Sequence, residues 1–136
     1  MNCNPFTRGH RYLIEYASSR VDRLIIFVLQ EDRSEFTFQE RFLLVKRGTK
    51  DLESVIVVPS GEYIISSLTF PEYFIKGKNN TINVDTTKDL EIFCNSIAPE
   101  LNITCRFVGE EPIDLVTKQY NENMKKILPS YGIEVI

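Results

Sequence analysis

The sequence predicts an α/β fold of Rossmann-like type: an open parallel sheet of about five strands with helices on both faces. Three observations carry this expectation. The runs Leu24–Leu29 and Val55–Val58 are β-branched and aromatic throughout, the composition of strands buried on both faces. Stretches with apolar residues at helical spacing alternate with such runs along the chain. The connections are short, and alternating strands and helices with short connections make parallel strands with right-handed crossovers.

The elements follow in order. Met1–Asn4 reads as the tail of a first strand. Arg11–Ser19 places Leu13, Ile14 and Tyr16 on one helical face. After the strand at Leu24–Leu29, Gln30–Phe36 is polar and loop-like. Thr37 with Glu40 three residues on forms a capping box. Phe38, Phe42, Leu43, Leu44 and Val45 then give helical spacing up to Gly48, the expected glycine just past a helix end. Val55–Val58 is the next strand, stopped by Pro59-Ser60-Gly61. Glu62–Lys78 is aromatic-rich and holds Pro71, which predicts a loop with short helical turns. A helix opens at Asp85-Thr86-Thr87 and runs to about Ile97. Ile103–Val108 is a strand ended by Gly109. A helix from about Ile113 to Leu128 turns Leu115, Val116, Tyr120, Met124, Ile127 and Leu128 inward, and Ile133–Ile136 begins a last strand.

A chain of 136 residues with 43% hydrophobic and 26% charged content suits one globular domain with a real core. A net charge of −3 without a basic block argues against a broad nucleic-acid footprint. Three widely spaced cysteines and one histidine make a poor zinc set. Reduced thiols and the absence of a leader or membrane span point to a cytoplasmic protein with no membrane partner, the apolar run Leu24–Leu29 being far too short to cross a bilayer. Site-like residues lie within ten of Met1 and the last strand stops short, as expected of a piece of a longer protein.

The candidate site begins at Asn4-Pro5-Phe6-Thr7-Arg8-Gly9-His10, which holds the chain's one histidine. Gly9 lets a ligand approach the backbone, because no Cβ intervenes. The helix start just beyond offers unpaired N–H groups and a positive dipole end, both suited to phosphate. The His10 imidazole can donate to a phosphoryl oxygen. Open parallel sheets bind ligands beyond the carboxyl ends of their strands. Asn4–His10, Gln30–Ser34 and Gly109–Pro112 all sit at such ends.

These residues resemble a family. Asn2–Glu15 looks like the signature opening the nucleotidyltransferase domain of citrate (pro-3S)-lyase ligase. The likeness continues through Val28–Ser34, Phe38–Arg41, Ser60–Ser67, Thr69-Phe70-Pro71 and Phe107–Pro112. It ends with Thr117, Tyr120-Asn121 and Met124-Lys125. The first block alone also resembles the wider nucleotidyltransferase superfamily, including pantetheine-phosphate adenylyltransferase. The Ser60–Pro71 and Gly109–Pro112 blocks favour the ligase.

The resemblance implies ATP and Mg²⁺ as cofactors and acetate as the acid. It implies citrate lyase as partner, through the acyl carrier subunit with its dephospho-CoA-derived prosthetic group. The ligase would acetylate the thiol of that group, with AMP and pyrophosphate as products. His10 and Thr7 would be catalytic. Asn4, Pro5, Phe6, Thr7, Gly9, His10, Gly109, Glu110 and Glu111 would hold the nucleotide. For several residues a plainer reading stands beside this one. Thr7 is also a helix N-cap, and Glu110 and Glu111 either accept from ribose hydroxyls or complement a helix dipole. Arg8 and Arg11 either face phosphate or lie solvated on the helix. Glu31 and Asp32 either approach metal and acceptor or sit in a loop. Lys76 either reaches the terminal phosphates or does not. Tyr63, Phe70, Tyr73 and Phe74 line a pocket or fill the core. No protein ligand for the metal is assigned. The family also carries an N-terminal acetyltransferase-like domain, the start of the first strand and a C-terminal serine- and arginine-containing phosphate motif, none of which is in this chain. Two alternatives stay open: another nucleotidyltransferase, or a non-catalytic nucleotide-binding or docking module.

Overall fold

The computed structural model describes residues 1–32, 34–74, 85–110 and 114–136. The chain divides into two compact units, Met1–Gly61 and Glu62–Ile136.

The first unit runs α1 (Arg8–Ser18), β1 (Leu24–Val28), α2 (Phe38–Gly48) and β2 (Val55–Pro59). β1 and β2 are parallel, with Leu24 opposite Val55 and Val28 opposite Pro59, so α2 is the crossover that a parallel pair requires. One face of this pair packs on both helices. Ile26 and Val28, with Leu24, Val55 and Val57, meet Ile14 of α1 and Phe38, Phe42 and Val45 of α2. On the other face Ile56 is 42% exposed, so the apolar run overstated burial there. Met1 lies along the opposite edge of β1 from β2. Its ammonium donates to the Phe27 carbonyl at 2.6 Å, and its carbonyl accepts the Leu29 N–H at 2.9 Å. That is the pattern of a parallel neighbour, as expected for the tail of a first strand.

Four expectations within this unit are corrected. α1 begins at Arg8 rather than Arg11, because Thr7 caps it. Its buried residues are Ile14 and Ala17, while Tyr16 is exposed with the Arg20 guanidinium 3.5 Å above its ring. In α2 the Thr37–Glu40 capping box forms as the spacing predicts. Leu43 and Leu44 are nevertheless exposed, and the buried positions are Arg41 and Val45. Gly48 is the last helical residue, not a left-handed cap, and a Cβ there would overlap the Phe6 ring.

The second unit contains a 3₁₀ turn at Pro71–Phe74, the predicted helical turn in an aromatic loop. Then α3 (Thr87–Ile92) continues through a π-helical turn (Phe93–Ile97) into α4 (Ala98–Leu101). The helix therefore outlasts the predicted end, with Pro99 following directly on the π-helical turn. Asn102 ends it in the left-handed conformation at φ 53°. β3 (Cys105–Arg106) and β4 (Glu134–Val135) pair in parallel, and α5 (Leu115–Ile127) lies between them in sequence. Asp114 caps α5 by accepting the Val116 and Thr117 N–H groups, and Leu115, expected inside, is exposed in the first turn. The core is Phe70, Leu90, Phe93, Tyr120, Met124, Leu128 and Ile133.

The architecture is thus mixed helix and strand with parallel pairing, consistent with the predicted α/β class. Among the described residues the strands form two parallel pairs rather than a five-stranded sheet. The first strand is represented only by the two bonds of Met1, and the segment Ile103–Val108 pairs as a strand only at Cys105–Arg106. No described helix is long and apolar enough to cross a membrane.

Candidate functional site

Thr7 and His10 close a reciprocal cap at the start of α1. The Thr7 hydroxyl accepts the His10 N–H at 3.4 Å, and the His10 Nδ1 accepts the Thr7 N–H at 3.0 Å. Thr7 Oγ1 also lies 2.9 Å from Nδ1. An acceptor Nδ1 places the single proton of the neutral imidazole on Nε2, which leaves Nε2–H as a donor. Burial lowers the His10 pKa below its ordinary value. Neutral His10 with a defined tautomer is therefore the resting form. Phe6 supports the ring: the two rings stack at 6.0 Å and 17°, and a ring edge of Phe6 fills the space over Gly48.

Beside this pair the helix start is open. The first N–H groups of an α-helix have no intrahelical acceptor, and the Thr7 hydroxyl serves His10. A Cβ at Gly9 would meet only Thr7 Oγ1, at 3.6 Å, an ordinary contact. Packing within the described residues therefore does not demand glycine there. Thr7, Arg8 and Gly9 are all exposed.

The other predicted residues fall as follows. Asn4 accepts the Phe36 N–H at 2.9 Å, tying the phosphate-binding candidate segment to the loop before α2. Pro5 is exposed behind a cis Asn4–Pro5 bond. Arg11 is engaged elsewhere. Its guanidinium donates to both Asp51 oxygens at 2.7 and 2.8 Å, to the Gly48 carbonyl at 2.6 Å and to Glu15 at 2.7 Å. Hydrogen bonding to Arg11 pulls the Asp51 carboxyl down to about 2. Asp32 accepts the first N–H of α2, from Phe38 at 2.8 Å, and is a helix cap. Phe70 is core, stacked on Tyr120 at 5.2 Å, whereas Tyr63 is exposed. Gly109 and Glu110 belong to the second unit and are exposed, and the Gly109 carbonyl accepts from Asn121 at 3.1 Å. Lys76, Glu111 and Pro112 lie outside the described residues. No group of three metal-ligating side chains occurs among the described residues.

Among the described residues two buried charged ones escaped the sequence reading. Arg41 is 0% exposed and Asp89 is 1% exposed. Asp89 Oδ1 accepts the Ile65 N–H at 2.5 Å and the Thr69 hydroxyl at 2.7 Å, and Oδ2 accepts the Tyr120 hydroxyl at 2.5 Å. The only sequence signal was a charge at a helical core position, which ordinarily reads as a surface residue.

A family model described as the citrate lyase ligase C-terminal domain matches residues 1–136. The chain is 43% identical to a citrate (pro-3S)-lyase ligase of Klebsiella pneumoniae, over 100% of this chain and 41% of that protein. It is 48% identical to the enzyme of that name from Escherichia coli, over 92% of this chain and 36% of that protein. It is 31% identical to a phosphopantetheine adenylyltransferase of Streptococcus gordonii, over 72% of this chain and 63% of that protein. The chain spans about two fifths of the length of the ligases it matches.

Proposed function

Because the chain belongs to the citrate lyase ligase C-terminal domain family, we propose that it supplies the adenylate-forming site of an acid–thiol ligase that activates citrate lyase in the cytoplasm. ATP and acetate are the small substrates. The acetate carboxylate attacks the α-phosphorus and pyrophosphate leaves. The thiol of the lyase's dephospho-CoA-derived group then takes the acetyl group from the acetyl-adenylate and releases AMP. Such chemistry asks little covalent help of the protein and much positioning and charge stabilisation.

The observation that carries this reading is the donor set at the start of α1. His10 Nε2–H, fixed by the Thr7 N–H on Nδ1, donates to an α-phosphoryl oxygen. The open backbone at Gly9 admits the phosphates to the helix N-terminus. Thr7 holds the imidazole and has its hydroxyl on the same rim, and Arg8 is the nearby exposed cation. Asn4, Pro5 and Phe6 shape the approach, and Gly109, Glu110 and Glu111 meet the nucleoside, as the family resemblance implies. Mg²⁺ neutralises the phosphates and is held through them and water.

The test measures pyrophosphate release from ATP with and without acetate, in the protein at the full length of its relatives and in its His10→Ala form. Acetate-dependent release, lowered about 10²–10³-fold by the substitution, is expected. Equal rates in the two proteins remove His10 from the mechanism. The adenylyltransferase relative favours a second reading, AMP transfer to a phosphopantetheine-like acceptor, and dephospho-CoA as the product would establish it. Tight ATP binding with no release of pyrophosphate would instead mark a binding module.

A further inference from the structure

Resting on the nucleotide reading above, the geometry points to Arg41 as a positioning residue that holds the Asn4–His10 segment against the end of β1. The Arg41 side chain reaches four backbone carbonyls. Nε donates to Phe36 at 3.1 Å, Nη1 to Asn2 at 3.0 Å and to Leu29 at 2.8 Å, and Nη2 to Glu31 at 3.0 Å. These oxygens belong to three separate stretches: the N-terminal segment, the end of β1 with its loop, and the turn into α2. A planar guanidinium with a fixed fork of donors can join three such stretches at once. An ammonium, a point charge on a flexible stem, cannot reproduce the fork.

A second layer repeats the same stitching. Asn2 Nδ2 donates to Ser34 Oγ at 3.1 Å, and the Phe36 N–H donates to Asn4 Oδ1 at 2.9 Å. Between Asn2 and Asn4, buried Cys3 sits at φ 53°, a sharp change of direction. The course of residues 4–10 therefore starts from an anchored Asn2, whose carbonyl Arg41 holds next to the Met1 bonds to β1. Arg41 also neutralises four carbonyl dipoles at a strand end beside a site that would receive an anion.

The test uses Arg41→Lys and Arg41→Gln in the full chain. The lone histidine gives a single imidazole signal, so ¹⁵N NMR reads its tautomer directly, and calorimetry reads ATP affinity. In folded variants the imidazole signal shifts as the Asn4–His10 segment loses its place, the local Thr7 bond keeping the tautomer, and ATP affinity falls about ten- to a hundredfold, with Lys recovering only part of the loss. A merely structural role would lower the unfolding midpoint yet leave the imidazole signal and the ATP affinity of the folded protein unchanged, and that result overturns the proposal. If neither variant folds, the wild-type Arg41 Nε–H signal decides. Its shift on adding ATP supports the role, and its constancy while the His10 signal moves refutes it. If wild type binds no ATP, the nucleotide reading fails, and the comparison of imidazole signals still decides whether Arg41 positions His10.

Discussion

At Gly9 a side chain is missing where nothing among the described residues requires the space. A methyl there makes one ordinary contact, with Thr7 Oγ1 at 3.6 Å. Gly9→Ala is therefore expected to raise helix stability by about 0.5–1 kcal/mol, since alanine loses less backbone entropy than glycine. The same methyl would stand between the helix start and a phosphate, and overpacking of about 1–3 kcal/mol weakens ATP about ten- to a hundredfold. A midpoint that rises while affinity falls is a signature no packing role for Gly9 produces; a melting scan and an ATP titration read it. His10 has its own test. The unfolded imidazole takes its proton near 6.5, whereas burial holds the folded one to lower pH. Between those values the unfolded state binds more protons, so stability falls as pH drops through that window and is complete above it. Urea midpoints between pH 5 and 7.5 should show this slope. His10→Gln should flatten it while keeping the cap, because glutamine also closes a capping box. The lone imidazole beside a glycine was legible in the sequence. Its tautomer was not, since that follows from the bond at Nδ1.

At the scale of elements, legibility depended on whether a known pattern lay at the boundary. Thr37 with Glu40 announced α2, and both bonds of the box are present. Thr7 with His10 closes the same kind of box at α1, and the helix-cap reading of Thr7 holds, but the apolar spacing on its own placed the start three residues late, at Arg11. Burial on α2 was misread for a related reason. Arg41 takes an inward position because backbone carbonyls satisfy its guanidinium, and the two leucines that follow Phe42 turn outward. Gly48 read as a helix stop, whereas its smallness serves Phe6, which in turn backs His10. Gly48→Ala should accordingly cost about 1–3 kcal/mol of stability, because the Phe6 ring must shift within a packed surface. Urea denaturation measures the loss, and Phe6→Leu in the same background should restore part of it. An unchanged midpoint would mean that Phe6 moves aside freely and does not brace the imidazole.

At the scale of the whole molecule, the alternation of runs correctly foretold parallel pairing, which holds in both pairs. Charged groups that complete a core leave no periodic trace, and Asp89 is the case in point. Its carboxylate collects Ile65, Thr69 and Tyr120, and Arg106 Nη2 donates to the Tyr120 hydroxyl at 3.0 Å. An acid and a guanidinium are thus joined through a phenol in the second unit. Burial pushes the Tyr120 pKa well above its ordinary value, opposed by Arg106 and reinforced by Asp89, so the hydroxyl keeps the proton it donates. Ile65 sits at φ 44°, a costly conformation for a β-branched residue, and its N–H is held by this carboxylate. Asp89→Asn retains an acceptor for Ile65 and Thr69 but turns an amide toward a hydroxyl that already accepts from Arg106. One buried donor then loses its partner, at about 1–3 kcal/mol. Asp89→Ala removes the shared acceptor of all three donors, leaving only the Thr69 hydroxyl with another acceptor within reach, Ser66 Oγ at 3.3 Å, and should cost more. Hydrogen exchange reads the difference residue by residue. The Ile65 amide should lose protection in both variants relative to wild type, and more in Ala than in Asn. Equal protection in all three proteins would show that the aromatic loop keeps its place without the carboxylate.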